Sequence, residues 1–367
     1  MKSKKIRLYV NKELEQKLIS FCNANRFIYN HYYFMRVRYY KMFGKTLTAY
    51  SYQKYLTRIK KTKKYKWLNE ICLHVLKMST LDCQKAFNNF FNNPKHFKFP
   101  KYKSKKKTKL SFYTRADALF VNKDFIKCSK IGKIFYKSKM LFNSFIKKKL
   151  YNTRISYDNK YWYLSFSYED ENQTSTKPYS DPIGIDLGVK TLAVLSNGKE
   201  YKNIAKSKKI KILDVKIKKQ HKKLSRKKYK SSNYFKSKKK LQLLYRRRTH
   251  IIDNHIKHMV KDIISLNPSS VVIEDLNIRS MLKNKHTSKA VLDCNFFKIR
   301  ELLTQKCKSN NIKLIIANKW FPSSQICSNC CVKQKLTLQQ RVYDCASCGF
   351  STDRDLNAAI NLKNLAK

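Results

Sequence analysis

Three acidic residues lie where the chain passes from one regular element to the next. Asp186 ends an apolar run and Gly188 lets the chain turn back, Glu274 ends a second apolar run, and Asp355 opens a helical pattern. Carboxylate oxygens are the hard ligands that Mg²⁺ prefers. Three carboxylates can hold two Mg²⁺ ions about 3.5–4 Å apart, one activating the attacking water and the other stabilising a leaving 3′ oxygen. These residues therefore predict a two-metal site for phosphodiester hydrolysis.

Each acidic residue also has a purely structural interpretation. A strand-end carboxylate such as Glu274 is often an exposed charge or a helix cap, and its neighbour Asp275 is the stronger candidate to cap the segment that follows. A carboxylate at a helix start, such as Asp355, is favoured by the helix dipole. Asp353 competes with Asp355 for the catalytic role. The catalytic interpretation depends on the three positions taken together and in this order.

The hairpin around Asp186 also resembles the phosphate-cradling hairpin of actin-like and chaperone ATPases. Those proteins need a second glycine-rich phosphate loop and a glycine-rich adenosine loop. The chain has six glycines, and those after residue 182 are the hairpin pair, Gly198 and Gly349. These glycines are too few to form the two further glycine-rich loops, which argues against an ATPase.

Four cysteines form two CxxC pairs with 14 residues between the pairs: Cys327, Cys330, Cys345 and Cys348. This spacing is typical of a ribbon that holds one tetrahedral Zn²⁺, and four cysteines leave no open position for chemistry, so the zinc is expected to be structural. A redox role is the alternative, but a pair of pairs has no use in it. Gly349 follows the second pair, whereas Cys331 stands where the first pair would usually carry glycine, either as a bystander or as a substitute ligand.

The elements that would position these residues alternate between strands and helices. The Asp186 strand and hairpin are followed by helical segments, the Glu274 strand, a helix over 296–309, a strand over 313–317, the cysteine module and a helix over 355–365. This is the layout of an RNase H-like α/β fold. Its order predicts that the three carboxylates meet at one site.

A strongly basic segment separates the first two carboxylates. Residues 218–248 contain 15 Lys or Arg and no acidic residue, while Leu241, Leu244 and Tyr245 keep a helical spacing. A solvated charged helix is one interpretation, but the absence of balancing acid favours a helix that lies along a phosphate backbone. A further helix is predicted over 251–266.

The N-terminal half has a different pattern of predicted elements: one strand, then helices, then several short strands. A short strand over 4–10 precedes a helix that Asn11 would cap, and a second helical pattern runs over 67–91. Later strand-like segments predict a small β-barrel or sheet that includes the first strand, with the helical bundle inserted between them; they are 109–113, 134–136, 154–157 and 161–168. The polar segment 170–182, with two prolines, is the best linker.

Charge dominates the composition: 82 Lys and Arg oppose 23 Asp and Glu, giving a net charge of +59. Such an excess attracts polyanions and indicates a long nucleic-acid footprint. The sequence contains no apolar run long enough to span a bilayer and no apolar signal core behind its basic start. We therefore expect a cytoplasmic protein that does not bind a membrane.

The ordered motifs resemble the TnpB family, transposon-encoded proteins related to the type V CRISPR effectors. The motifs are Gly184-Ile185-Asp186-Leu187-Gly188, Val272-Ile273-Glu274-Asp275-Leu276, Phe321-Pro322-Ser323-Ser324 before the cysteine ribbon, and Asp353-Arg354-Asp355-Leu356-Asn357-Ala358-Ala359. Asn25-Arg26-Phe27-Ile28-Tyr29-Asn30 resembles the N-terminal helical region of the family. The resemblance covers essentially the full chain.

The resemblance implies an RNA-guided endonuclease that cuts double-stranded DNA beside a short flanking motif, with a guide RNA from the transposon end. By the family motifs, Asp186, Glu274 and Asp355 would hold two Mg²⁺ in a RuvC-type domain, and the four paired cysteines would bind one Zn²⁺. Some relatives have lost the carboxylates and act as RNA-guided repressors. A repressor is therefore the alternative, and a strand-joining transposase is a third hypothesis that lacks an HxH metal pair.

The implied fold is multidomain α/β: a RuvC (RNase H-like) domain with an inserted zinc ribbon, and a wedge β-barrel that carries an inserted helical recognition domain. The expected bounds follow the chain in order. They are 1–11 for the first wedge strand, 12–105 for the recognition domain, 106–175 for the wedge barrel, 176–326 for the RuvC-like domain, 327–349 for the ribbon and 350–367 for the RuvC-like C-terminal helix.

Overall fold

A computed structural model of the chain describes residues 2–106, 108–115, 119–122, 124–136, 149–169, 178–284, 286–337 and 340–366. The chain divides into two compact units, Met1–Glu171 and Asn172–Lys367. Most of the predicted linker at 170–182, including the expected domain boundary at 175–176, lies outside the described residues. The domain bounds remain a prediction.

The first unit contains a seven-stranded antiparallel sheet in the order β2-β6-β7-β1-β5-β4-β3. Its strands are β1 Lys2–Tyr9, β2 Ser111–Tyr113, β3 Leu119–Val121, β4 Phe125–Cys128, β5 Gly132–Tyr136, β6 Leu150–Tyr157 and β7 Trp162–Tyr168. The N-terminal strand lies inside the sheet, where it pairs with β7 from Lys2 opposite Tyr168 to Leu8 opposite Trp162. The prediction that the first strand belongs to the later sheet is confirmed.

Three helices lie between β1 and β2: α1 Lys12–Phe43, α2 Ala49–Ile59 and α3 Leu73–Asn92. Asn11 caps α1 as predicted, because its side chain accepts a hydrogen bond from the backbone N–H of Leu14. The expected helix start near residue 67 is wrong. Residues Lys63–Glu70 form a 3₁₀ helix and Ile71 is extended, so that α3 begins at Leu73. Apolar side chains of these helices and of the sheet form one core.

The second unit is built on a five-stranded sheet in the order β10-β9-β8-β11-β12. Its strands are β8 Ile183–Asp186, β9 Thr191–Leu195, β10 Glu200–Lys202, β11 Ser270–Ile273 and β12 Lys313–Ile316. Strands β8, β11 and β12 are parallel, while β9 and β10 extend the sheet in antiparallel pairing. A separate pair of short strands, β13 Val342–Asp344 and β14 Ser351–Asp353, follows.

Helices surround this sheet: α4 Lys208–Ser225, α5 Ser232–Ser265, α6 Ile278–Met281, α7 Ser288–Cys294, α8 Phe296–Ser309 and α9 Arg354–Asn364. The basic segment predicted as one helix over 218–248 is interrupted, and the helix predicted over 251–266 is the second half of α5. The reason is local: Ser231 caps a new helix by accepting from the N–H of Tyr234, and Lys230 before it has a left-handed φ of 65°. The break cannot be recognised from the sequence, because the residues around it are mostly lysine and show no regular spacing of apolar residues that a break would interrupt.

Both faces of the five-stranded sheet are covered. Ile185 and Ile273 belong to a large core that includes residues of α5 and α8, whereas Val272 packs with Leu362 of α9 on the other face. Gly184 shares this second face with Val272, its register partner. A Cβ atom at Gly184 would collide with the backbone oxygen of Ala359 and the backbone nitrogen of Lys363. Helix α9 therefore rests backbone-to-backbone on β8.

None of the helices traced through the described ranges has the length and apolarity needed to cross a membrane.

Gly184→Ala is expected to destabilise the protein by about 3 kcal/mol or more, because overfilling a close-packed contact forces the backbone to move. Urea unfolding monitored by circular dichroism measures this loss. Gly198→Ala is the matched control: it has open space around the new Cβ but a left-handed φ of 83°, and should cost about 1 kcal/mol. Equal losses for the two variants would contradict the close approach of α9.

Candidate metal-binding sites

Two of the predicted carboxylates lie side by side at the carboxyl edge of the parallel strands. Ile185 of β8 pairs with Ile273 of β11. Asp186 follows Ile185, and Glu274 follows Ile273. Because side chains alternate along a strand, both carboxylates project to the face of Gly184 and Val272. That is the face covered by α9.

The third carboxylate comes from the first turn of α9. Asp355 lies close enough to Asp186 and Glu274 for its charge to raise the pKa of both. Asp353, the competing candidate, instead caps α9: its Oδ1 accepts from the backbone N–H of Asp355 at 2.9 Å and of Leu356 at 3.1 Å. The charge of Asp353 also raises the pKa of Asp186, but less than the charge of Asp355 does. Asp355 thus meets the other two carboxylates, while Asp353 has a capping role at the start of α9.

Burial and the charge of neighbouring carboxylates raise the pKa of both Asp186 and Glu274. Burial raises the pKa of Asp186 from 3.8 to about 8, the charges of Glu274 and Asp355 act in the same direction, and Arg354 opposes them. Burial also raises the pKa of Glu274, while a hydrogen bond from Ser323 lowers it. Concentrated, desolvated negative charge of this kind is what a divalent cation neutralises.

The three carboxylates are not gathered as tightly as the ligands of a single small ion. Within the part of the chain that the structure describes, the four paired cysteines are the one group of three or more His, Cys, Asp or Glu whose ligand atoms all lie within 4.8 Å of one another. Carboxylate oxygens are nevertheless the hard donors that Mg²⁺ prefers, so the donor chemistry of the site fits Mg²⁺.

Two polar residues that sequence reasoning missed connect Glu274 to α9. The Ser323 hydroxyl donates to Glu274 Oε1, and the backbone oxygen of Ser323 accepts from Asn361 Nδ2 of α9 at 2.8 Å. Ser323 and Asn361 are buried. Ser323 lies in the motif before the cysteine ribbon, and Asn361 lies in the helix predicted over 355–365. Neither residue type follows a spacing pattern that would have identified it as part of the site.

Asp275 does not cap the segment after Glu274, contrary to expectation. Asn277 caps the short helix α6, because its Oδ1 accepts from the N–H of Ser280. Asp275 instead pairs with Arg300 of α8 at 2.7 Å. An asparagine closer to the helix start is in place to accept the free N–H, and this leaves Asp275 to form an ion pair.

The four predicted cysteine ligands meet at one point. The Sγ atoms of Cys327 and Cys348 are 3.7 Å apart, and those of Cys330 and Cys345 are 3.5 Å apart. A tetrahedral zinc with Zn–S bonds of about 2.3 Å requires sulfurs about 3.8 Å apart. The donor set and its spacing fit Zn²⁺, and Cys331 is not part of the group.

The ribbon is anchored to α9 through its first cysteine pair. The backbone N–H of Ser328 donates to Asn357 Oδ1 at 2.9 Å, and Asn357 Nδ2 donates to the oxygen of Ile326 at 2.7 Å. Asn361 Nδ2 also donates to Ile326. One buried face of α9 thus holds the cysteine module, and the first turn of the same helix supplies Asp355.

The two cysteine pairs are folded alike. After the second pair, the N–H of Gly349 donates to the oxygen of Cys345 at 3.0 Å with φ at 68°; after the first, the N–H of Cys331 donates to the oxygen of Cys327 at 3.0 Å with φ at 63°. Cys331 is exposed. Cys331 therefore occupies a left-handed position that favours glycine, and its exposed side chain is not one of the four grouped sulfurs.

Cys331→Gly is expected to stabilise the zinc-loaded protein by about 0.5–1 kcal/mol, because glycine adopts a left-handed φ without steric cost. Gly349→Ala is the matched reverse change and should destabilise by a similar amount. Thermal unfolding and the zinc content of each purified variant check both. Loss of zinc from Cys331→Gly would show instead that Cys331 is a ligand.

Asp186→Asn should stabilise the protein in EDTA increasingly as the pH rises. The raised pKa means that the folded state prefers the protonated carboxyl, so the wild-type protein loses stability between its ordinary pKa of 3.8 and about 8. The amide removes this dependence. Urea midpoints of both proteins at pH 4, 6 and 8 measure it, with Asp262→Asn, an exposed carboxylate near Lys199, as the control. A constant difference across this range would contradict the burial of Asp186.

Comparison with known proteins gives the class. A family model described as "Probable transposase" (OrfB_IS605) matches residues 165–285, one described as "Cas12f1-like, TNB domain" matches residues 296–362, and one described as "Helix-turn-helix domain" matches residues 1–45. In the structure, this N-terminal segment consists of strand β1 and one uninterrupted helix α1.

The fold resembles that of the protein chain in a solved Cas12f1–sgRNA–target DNA complex. The TM-score is 0.59 at 13% identity, and the match covers 99% of this chain and 98% of that one. Fold and family models together define a mixed α/β protein of the OrfB type.

Curated relatives narrow the class to a family. A "Putative RNA-guided DNA endonuclease" of Streptomyces pristinaespiralis is 30% identical over 312 residues, which are 84% of this chain and 75% of the relative. The protein of Escherichia coli K12 named "Putative RNA-guided DNA endonuclease InsQ" is 25% identical over 98% of this chain and 90% of its own length. The chain belongs to the TnpB family, as the ordered motifs predicted.

Proposed function

We propose that this protein is an RNA-guided DNA endonuclease that hydrolyses the phosphodiester with two Mg²⁺ ions. The observation that carries the proposal is the meeting of Asp186, Glu274 and Asp355 at one carboxyl edge, in mutual electrostatic contact. The similarity to relatives named as RNA-guided DNA endonucleases supports the guide and the DNA substrate. Guide pairing would then supply sequence specificity while the protein contacts backbone and shape.

The three carboxylates would hold the metal. Bound Mg²⁺ would supply an activated water and a counter-charge for the leaving oxygen. Ser323 fixes the Glu274 carboxylate through its hydroxyl. Arg354 lies next to the site: its Nε is 3.8 Å from Asp355 Oδ1, and its Nη1 donates to the backbone oxygen of Gln340 at 3.2 Å. The guanidinium lowers the pKa of Asp186 and so offsets part of the negative charge of the cluster.

The remaining parts have matching proposed roles. We assign the second unit as a RuvC-type, RNase H-like domain with an inserted zinc ribbon, and the sheet and helices of the first unit as wedge and recognition domains within the bounds given above. The zinc would be structural, because four sulfurs complete its coordination. The basic segment 218–248, which spans the end of α4 and the first half of α5, would lie along the guide RNA, which we propose to come from the transposon end.

Co-purification is the first test. The protein is expressed with its native flanking DNA, the RNA that stays bound is sequenced, and the complex is tested on plasmids that carry the guide match beside randomised flanks, with Mg²⁺ or EDTA. We expect a discrete RNA and Mg²⁺-dependent cutting of double-stranded DNA. Asp186→Ala should reduce cutting to background while RNA and DNA binding remain, and Asp262→Ala should cut like the wild type.

The outcomes separate the hypotheses. Bound RNA with guided DNA binding and no cutting would identify a repressor. Substantial residual cutting by Asp186→Ala would overturn the assigned carboxylate site, and the absence of any specific RNA would overturn the guided mechanism itself.

A further inference from the structure

Among the large apolar side chains of the described residues, Trp320 is the most exposed, with 81% of its surface accessible. It lies in a tight turn that directly follows β12. The turn is ordered by its own hydrogen bonds: the N–H of Trp320 donates to Asn318 Oδ1 at 2.9 Å, and the N–H of Phe321 donates to the oxygen of Asn318 at 2.9 Å. The fold therefore presents the indole to solvent on a fixed support, at the cost of leaving a large apolar ring uncovered.

This turn borders the candidate nuclease site. A cavity of about 290 Å³ lies between the turn and the end of β11, and its walls include Glu274, Asn277, Asn318, Lys319 and Phe321. Glu274 is one of the three carboxylates, and Lys319 and Phe321 are the residues on either side of Trp320. The volume is close to the lower end of small-ligand pockets. It suits one nucleotide and not a stacked duplex.

The charge of the turn also matches a nucleotide. Lys319 Nζ lies 4.8 Å from the centre of the Trp320 ring, so that a cation and an aromatic face are presented together. Groups that bind single-stranded nucleic acid combine these features: cations follow the phosphates, and aromatic rings stack on bases whatever their identity. Duplex bases stack on one another and leave no face free.

We propose that Trp320 stacks on a base of the DNA strand that is being cut, next to the phosphate held at Glu274, and that Lys319 contacts the adjoining phosphate. This inference rests on the proposed nuclease function and adds the positioning of the strand. The stack fixes the nucleotide beside the cavity, and the carboxylates then meet a held phosphate. Because stacking tolerates any base, the site adds affinity without competing with the guide for specificity.

Trp320 itself reports the contact by fluorescence. The chain has three tryptophans; Trp162 is buried, and Trp67 is 41% exposed in the first unit. The guide-loaded Trp67→Phe protein, with Ca²⁺ in place of Mg²⁺ to occupy the carboxylates, is titrated with a short oligothymidylate. We expect quenching of the emission, which should disappear in the Trp67→Phe/Trp320→Phe double variant. Unchanged emission at saturating oligothymidylate would overturn the stacking.

Cleavage kinetics give a second readout. With Mg²⁺ and a short single-stranded target, Trp320→Ala should raise KM about tenfold, the loss expected for one base–aromatic stack, with little change in kcat. Trp320→Phe should recover most of the affinity because it keeps an aromatic face. Leu292→Ala, which removes an exposed apolar side chain of α7 in the same unit, is the control and should leave KM unchanged.

The two measurements distinguish the failure of the inference from that of the function. Wild-type cleavage with an unaltered KM in Trp320→Ala would overturn the stacking and leave the nuclease standing. Quenching of the Trp320 emission in the Trp67→Phe protein, together with no DNA cutting by the wild type, would support the stacking site and overturn the nuclease.

Discussion

The candidate site depends on one steric constraint, the contact of helix α9 with strand β8 at Gly184. The strand presents a residue without a side chain where the backbone of Ala359 and Lys363 passes. Small residues on the helix allow the same approach: Ala358 and Ala359 are buried. With the helix seated, its first turn delivers Asp355 to the carboxylates that end the neighbouring strands. A bulkier residue at position 184 would move the helix and, with it, the third carboxylate.

A polar network on the same helix complements this contact. Asn357 and Asn361 bind the backbone of the segment that leads into the first cysteine pair, and that segment places the Ser323 hydroxyl on Glu274. These amides are buried and satisfied, and breaking one side of such a pair costs more than making it gains. The cysteine module and the carboxylates are therefore parts of one arrangement. A metal bound to the four sulfurs would stabilise the segment that orients Glu274, although it takes no part in chemistry.

Sequence reasoning named the carboxylates and the cysteines that the structure brings together, and most of the strands. These features leave a local signature: an acidic residue after an apolar run, or cysteines at fixed spacing. Sequence reasoning placed the start of α3 and the break between α4 and α5 wrongly, since both are decided by caps and turns within lysine-rich segments. It also missed Ser323 and Asn361. Their importance comes from contacts between residues far apart in the chain, such as Ser323 with Glu274, 49 positions away. Spacing along the sequence cannot show such contacts.

Electrostatics sets two opposing demands on this protein. A net charge of +59 draws a polyanion to the surface from a distance, yet the site at which the phosphate must arrive is lined by three carboxylates. Arg354 offsets only part of their charge, since the pKa of Asp186 stays raised to about 8. Without a cation, a phosphate would meet repulsion at the last step of its approach. Two bound Mg²⁺ would reverse the sign of the local field, which is why the proposed reaction needs the metal to admit the substrate as well as to activate water.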